Sequence, residues 1–176
     1  DGRRIAFTDT SPSDKLLTVP AAGARIPDAI GWSDDGSTLF TADEGEANFT
    51  GGRGWSAHAP TGAVLFDDGG ELEATAVQFG QYPDGRSDAK GIEAESLVID
   101  KYGSREFMFV GSERGAFVAV YRLDQGHRPR FVQFLSTGQA PEGLLTIPSR
   151  NLFVTANEGD DQDGTISIFE GVPGRW

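Results

Sequence analysis

Apolar residues along this chain fall in short runs broken by Gly, Pro, Asp and Ser, and one order of apolar and polar positions occurs three times. The copies are residues 28–44 (DAIGWSDDGSTLFTADE), 95–113 (ESLVIDKYGSREFMFVGSE) and 142–158 (EGLLTIPSRNLFVTANE). Each opens on a carboxylate and a small residue, runs through a short apolar strand into a polar turn, returns through a second apolar strand and closes on Glu. Such a pattern predicts a hairpin of two half-buried strands, and internal repetition fixes the architecture before any single motif does.

The match continues beyond the hairpins. A Gly-led third strand is predicted at 62–66 (GAVLF), 115–121 (GAFVAVY) and 164–169 (GTISIF). A fourth follows the first two of these, at 74–79 (ATAVQF) and 130–135 (RFVQFL), both carrying Val-Gln-Phe. Four short strands per repeat, with the first two the most apolar, make a propeller blade. The blades span about 26–82, 92–137 and 140–171, with inserts at 45–61 and 81–94 in the first interval. Residues 3–8 (RRIAFT) and 15–19 (KLLTV) read as two further strands, the outer part of a preceding blade within a remnant covering 1–20. The expected fold is therefore all-β: a β-propeller fragment of three antiparallel blades of about four strands, plus the outer strands of another, all within one domain. Rings usually hold four to eight blades, so the rest of its own propeller, or another subunit closing the ring, is the expected partner.

Composition narrows the function. Twelve Phe with 24 Gly and 9 Pro suit an all-β chain. A formal charge of −12 argues against nucleic acid and anionic membrane surfaces. There is no run of apolar residues long enough for a transmembrane helix. The absence of Cys removes disulfides, thiolate chemistry and Cys-type zinc sites.

The chemistry read from the repeat is a carboxylate ring. Asp28, Glu95 and Glu142 lead the three copies, and Glu44, Glu113 and Glu158 close them. Equivalent blades place all six around one end of the channel, where like charges raise each other's pKa. A hard cation relieves that repulsion, and calcium accepts many oxygens in loose geometry. Without Cys and with two His, a transition-metal site does not fit. The structural alternative is that the carboxylates accept backbone N–H groups and lock adjacent blades.

Other motifs carry less. Residues 159–164 (GDDQDG) hold part of a calcium loop, with Asp161, Asp163 and Gly164 in place but Gly159 at the first ligand position; a solvated acidic turn is the simpler reading. Ser56 and His58 form a Ser-x-His pair without a nucleophile elbow. The run 51–54 (GGRG) lacks the Lys-Ser/Thr of a phosphate loop. Arg53, Arg86, Lys90 and Arg114 could rim an anionic substrate beside a metal, with surface pairing to acids as the plainer fate. His127 is expected in an exposed turn.

Several segments together resemble the choice-of-anchor I family of secreted bacterial propellers, which is related to esterase-like phytase-type propellers. They are 27–30 (PDAI), 39–47 (LFTADEGEA), 86–95 (RSDAKGIEAE), 109–115 (FVGSERG), 129–133 (PRFVQ), 140–144 (APEGL) and 154–160 (VTANEGD). The chain departs from the family pattern at Glu46, where Asp is usual, and in a shorter following insert. The resemblance implies a secreted, periplasmic or cell-surface protein, with this chain as the C-terminal part of a larger one. Two functions follow: a calcium-binding module with a structural or partner-binding role, or a calcium-dependent phosphatase or phytase-like phosphoester hydrolase acting on a phosphoester ligand.

Overall fold

The computed structural model describes residues 25–123, 128–159 and 164–172. The strands expected at 3–8 and 15–19, most of the acidic 159–164 loop and His127 lie outside the described residues.

The described residues form three antiparallel sheets. Sheet one is β1 (Pro27–Trp32), β2 (Leu39–Glu46), β3 (Thr50–His58) and β4 (Val64–Asp67), in that order. Helix α1 (Glu71–Gln78) follows. Sheet two is β5 (Ala94–Tyr102), β6 (Arg105–Ser112), β7 (Phe117–Arg122) and β8 (Arg130–Ser136). Sheet three is β9 (Pro141–Ile147), β10 (Leu152–Asn157) and β11 (Thr165–Glu170), with β10 central. All three repeat hairpins are present, as β1–β2, β5–β6 and β9–β10.

The sheets stack face to face in chain order. Alternation along each strand gives every sheet two apolar faces, as a strand buried on both sides requires. One core joins Phe40, Ala42, Trp55 and Ala57 of sheet one to Leu97, Met108, Val110, Phe117 and Tyr121 of sheet two. A second joins Phe107, Phe109, Val118 and Val120 on the opposite face of sheet two to Phe153, Leu144 and Phe169 of sheet three. Phe109 and Phe153 stack at 4.3 Å across this second core. The leading strands β1, β5 and β9 pack on one another in turn, so the sheets fan from a shared edge in a propeller-like arrangement.

Sheet one departs from the expected strand assignment. Its third strand is β3, inside the stretch taken as an insert, and Val64–Asp67 is fourth rather than third. Residues 74–79, expected as the fourth strand, belong instead to α1 and its C-cap Phe79. Two facts explain this. The glycines that made 51–54 look like a loop are needed within β3: a Cβ at Gly52 would sit 2.5 Å from Asp43 Cβ, and one at Gly54 would sit 2.3 Å from Asp68 Oδ1. Asp68 in turn accepts from the backbone N–H of Leu72 (3.0 Å), and Glu71 and Glu73 favour the helix N-terminus. Leu72 and Ala76, one turn apart, then enter the core fully buried.

Candidate carboxylate site

The repeat places its carboxylates by a shared backbone device. Pairing of β1 with β2 skips from Pro27↔Asp43 to Ala29↔Ala42, leaving Asp28 in a bulge. In sheet two the pairing skips Glu95, and in sheet three it skips Glu142. A bulge turns its extra residue out of the alternating pattern and re-aims the side chain. Beside each bulge the closing Glu donates its backbone N–H two residues upstream of the leading carboxylate. Glu44 donates to Ile26 O at 2.9 Å, Glu113 to Glu93 O at 2.9 Å and Glu158 to Ala140 O at 2.8 Å. Glu93 and Ala140 hold positive φ there, 49° and 51°.

These devices draw acids from neighbouring sheets together. Glu113 of sheet two and Glu142 and Glu158 of sheet three offer oxygens that all lie within 4.8 Å of one another. Glu142 is pushed up chiefly by its hydrogen bond with Glu158, then by desolvation. Burial, followed by the negative charges of Asp28, Glu44, Glu142 and Glu93, raises Glu95 to about 7. Burial and the hydrogen bond with Glu93 raise Glu113 to about 7. Glu95 Oε2 is buried with no hydrogen-bond partner among the described residues. All six carboxylates expected at the channel end thus lie in one electrostatic neighbourhood, linked through Glu95 and Glu142.

Glu93 belongs to the same group and was missed from sequence. Its signal was available: it stands two residues before a leading carboxylate, within 86–95. Burial opposes its ionisation, but hydrogen bonds from Glu113, Arg114 and Arg86 overcome this and hold its pKa below the ordinary value.

The four candidate rim cations divide. Lys90 pairs with Glu44, and Arg86 with Glu93. Arg114 bonds Glu93 at 2.8 Å and Glu113 at 2.9 Å. These three are interleaved with the acids. Arg53 is no rim residue: it is fully buried and donates to the carbonyls of Ser87 (2.6 Å), Ala89 (2.7 Å) and Glu46 (3.1 Å). It also lies 3.8 Å from buried Glu73, which desolvation raises to about 7. This arginine fastens the 84–91 segment to β3.

Ser56 and His58 do not form a nucleophile–base pair. Ser56 is fully buried, donates to Asp43 and accepts from Arg25 Nε at 2.6 Å. His58 Nε2 meets Thr41 Oγ1 at 3.2 Å. Thr41 donates to Asp43 at 2.8 Å, as Thr155 does to Asn157 at the matching position of sheet three. The constellation is a repeated structural fastening.

No helix among the described residues is long and apolar enough to cross a membrane. A portion of Gigasin-3a from Magallana gigas is 34% identical over 92 residues, covering 42% of this chain and 32% of that protein. The chain thus spans about a third of the length of the curated relative it matches. Residues 46–126 match the family described as the choice-of-anchor I domain, which contains β3, helix α1 and most of sheet two. Over that span the chain is matched to the choice-of-anchor I family, the family its motifs resemble.

Proposed function

We propose that this chain is part of an extracellular or cell-surface β-propeller whose carboxylates bind calcium at one end of the channel and fasten neighbouring sheets. The observation that carries the reading is the recurrence of one bulged carboxylate per sheet, with Glu113, Glu142 and Glu158 converging across the boundary between sheets two and three. Including Glu93, seven acids stand with the basic side chains of Arg86, Lys90 and Arg114, so negative charge is in excess. Burial first, and then neighbouring carboxylates, raise the pKa values of Glu95 and Glu113. An all-oxygen donor set and an orphaned buried oxygen on Glu95 suit a hard cation. The choice-of-anchor I match supports a place outside the cell.

Calcium, when bound, would supply positive charge between the sheets; Glu113, Glu142 and Glu158 are the residues placed to hold it. The experiment is thermal melting of wild type and Glu158→Gln, with calcium and with chelator. A ligand that binds only the folded state stabilises it by mass action. Calcium should raise the wild-type melting temperature, and Glu158→Gln should shrink that rise. Equal losses in both buffers would leave the carboxylates as sheet-to-sheet fastening alone. Phosphoester hydrolysis gains no comparable support, because three proposed rim cations are engaged by acids and Arg53 is buried.

A further inference from the structure

The two internal boundaries between sheets present equivalent acids to different partners. Between sheets two and three, the closing Glu113 of one sheet meets the leading Glu142 and closing Glu158 of the next, and their oxygens lie within 4.8 Å of one another. The repeat register names the counterpart between sheets one and two as Glu44, Glu95 and Glu113. Among the described residues this second trio forms no such group. Glu44 pairs instead with Lys90, and Glu113 with Arg114 at 2.9 Å.

The connections between the sheets differ in the same way. Sheets two and three are joined by residues 137–140 (TGQA), which carry no charge. Sheets one and two are joined through α1 and the 84–91 segment, which carries Arg86 and Lys90. Buried Arg53 clamps that segment through the carbonyls of Ser87 (2.6 Å) and Ala89 (2.7 Å), the latter just before Lys90. Packing here is close: a Cβ at Gly45, next to Glu44, would sit 2.5 Å from Arg53 Cγ and 3.4 Å from Lys90 O. The Lys90 ammonium is thereby delivered to Glu44, in an ion pair whose side chains are only 31% and 15% exposed, where salt screens it less. The Glu44 hydrogen bond, opposed by desolvation and helped by the charges of Glu44, Glu93 and Glu46, holds Lys90 above its ordinary pKa. A lysine brings one compact charge on a flexible stem. That charge does not satisfy the trio, since Glu95 Oε2 stays buried with no hydrogen-bond partner among the described residues.

We propose that Lys90 is a tethered cation, standing between sheets one and two where a free cation stands between sheets two and three; this rests on the reading above, in which Glu113, Glu142 and Glu158 hold calcium. The ammonium arrives with the chain, so its local concentration is set by the 84–91 segment and not by the solution. Across its two internal boundaries the chain then takes one calcium, and Lys90 fixes that number. Removing the ammonium uncovers Glu44 beside Glu95 and Glu113, an all-oxygen set suited to calcium.

The test is calcium binding to the full chain by equilibrium dialysis, with melting in calcium and in chelator beside it. Lys90→Met should bind one more calcium per chain than wild type, and calcium should raise its melting temperature further. Adding Glu95→Gln to Lys90→Met should abolish the gain. Lys90→Arg, which keeps a tethered charge, should keep the wild-type number. Circular dichroism checks that Lys90→Met folds, and Lys90→Gln replaces it if it does not. Wild-type binding that Glu158→Gln lowers, with no gain in Lys90→Met, would overturn this proposal and leave the calcium reading standing. So would a gain that survives Glu95→Gln or appears in Lys90→Arg. Calcium binding that Glu158→Gln leaves unchanged would overturn the underlying reading, and the tethered cation with it.

Discussion

Gly54 shows how much of this fold depends on single atoms. Its missing side chain leaves room for Asp68, whose carboxylate is fixed by the Leu72 amide at the start of α1. Gly54→Ala should therefore cost about 1–3 kcal/mol, as overpacking of a close-packed interior does. Gly85→Ala, where an added Cβ meets nothing within 4 Å, is the matched control and should fall within about 0.5 kcal/mol of wild type. Denaturant unfolding of both variants checks the contrast. The carboxylates obey a similar local logic. Asp28, Glu95 and Glu142 face their common neighbourhood because a bulge, rather than strand alternation, aims them.

At the scale of elements, α1 is the informative case. The alternation in 74–79 that suggests a strand is also compatible with a helix, since six residues rarely separate a period of two from one of 3.6. Burial decides between them: Leu72 and Ala76 are enclosed, whereas Gln78 and Phe79 are exposed. Leu72→Ala should lose about 2–5 kcal/mol as a core truncation. Gln78→Ala should change stability by less than about 0.5 kcal/mol. Comparable losses at both sites in urea unfolding would contradict the helical placement.

For the whole molecule, stability should depend on pH through buried Glu73. Its folded pKa of about 7 exceeds the ordinary 4.5, so the folded state binds a proton more tightly than the unfolded chain. The resulting stabilisation is fully present below about pH 4.5 and is lost as pH rises through 7. Glu73→Gln should flatten this part of the profile, by on the order of 3 kcal/mol between those limits. Glu95 and Glu113 act in the same direction, so some slope should survive in the variant. Melting in chelator from pH 4.5 to 8 provides the measurement; an unchanged slope in Glu73→Gln would rule out its contribution.

The sequence by itself determined the repeat. Three hairpins, their order and their equivalent carboxylates are written in local alternation and spacing, which depend on neighbours a few residues apart. It also determined the third and fourth strands of sheet two, because no insert interrupts them. Tertiary structure decided what alternation leaves open. Gly52 and Gly54 read as loop residues until Asp43 and Asp68, distant in sequence or on a neighbouring segment, are seen to occupy the space above them. Arg53 reads as a surface cation until the carbonyls of Ser87 and Ala89 close over it. Glu93 has a sequence signal in its spacing before Glu95, but only the fold brings Arg86, Arg114 and Glu113 to it. Ile166 and Ile168 look like ordinary core residues in sequence, and only packing reveals that their face is open. Local pattern fixes which face of a strand is apolar; what covers that face depends on contacts far apart in the chain, which only the folded structure specifies.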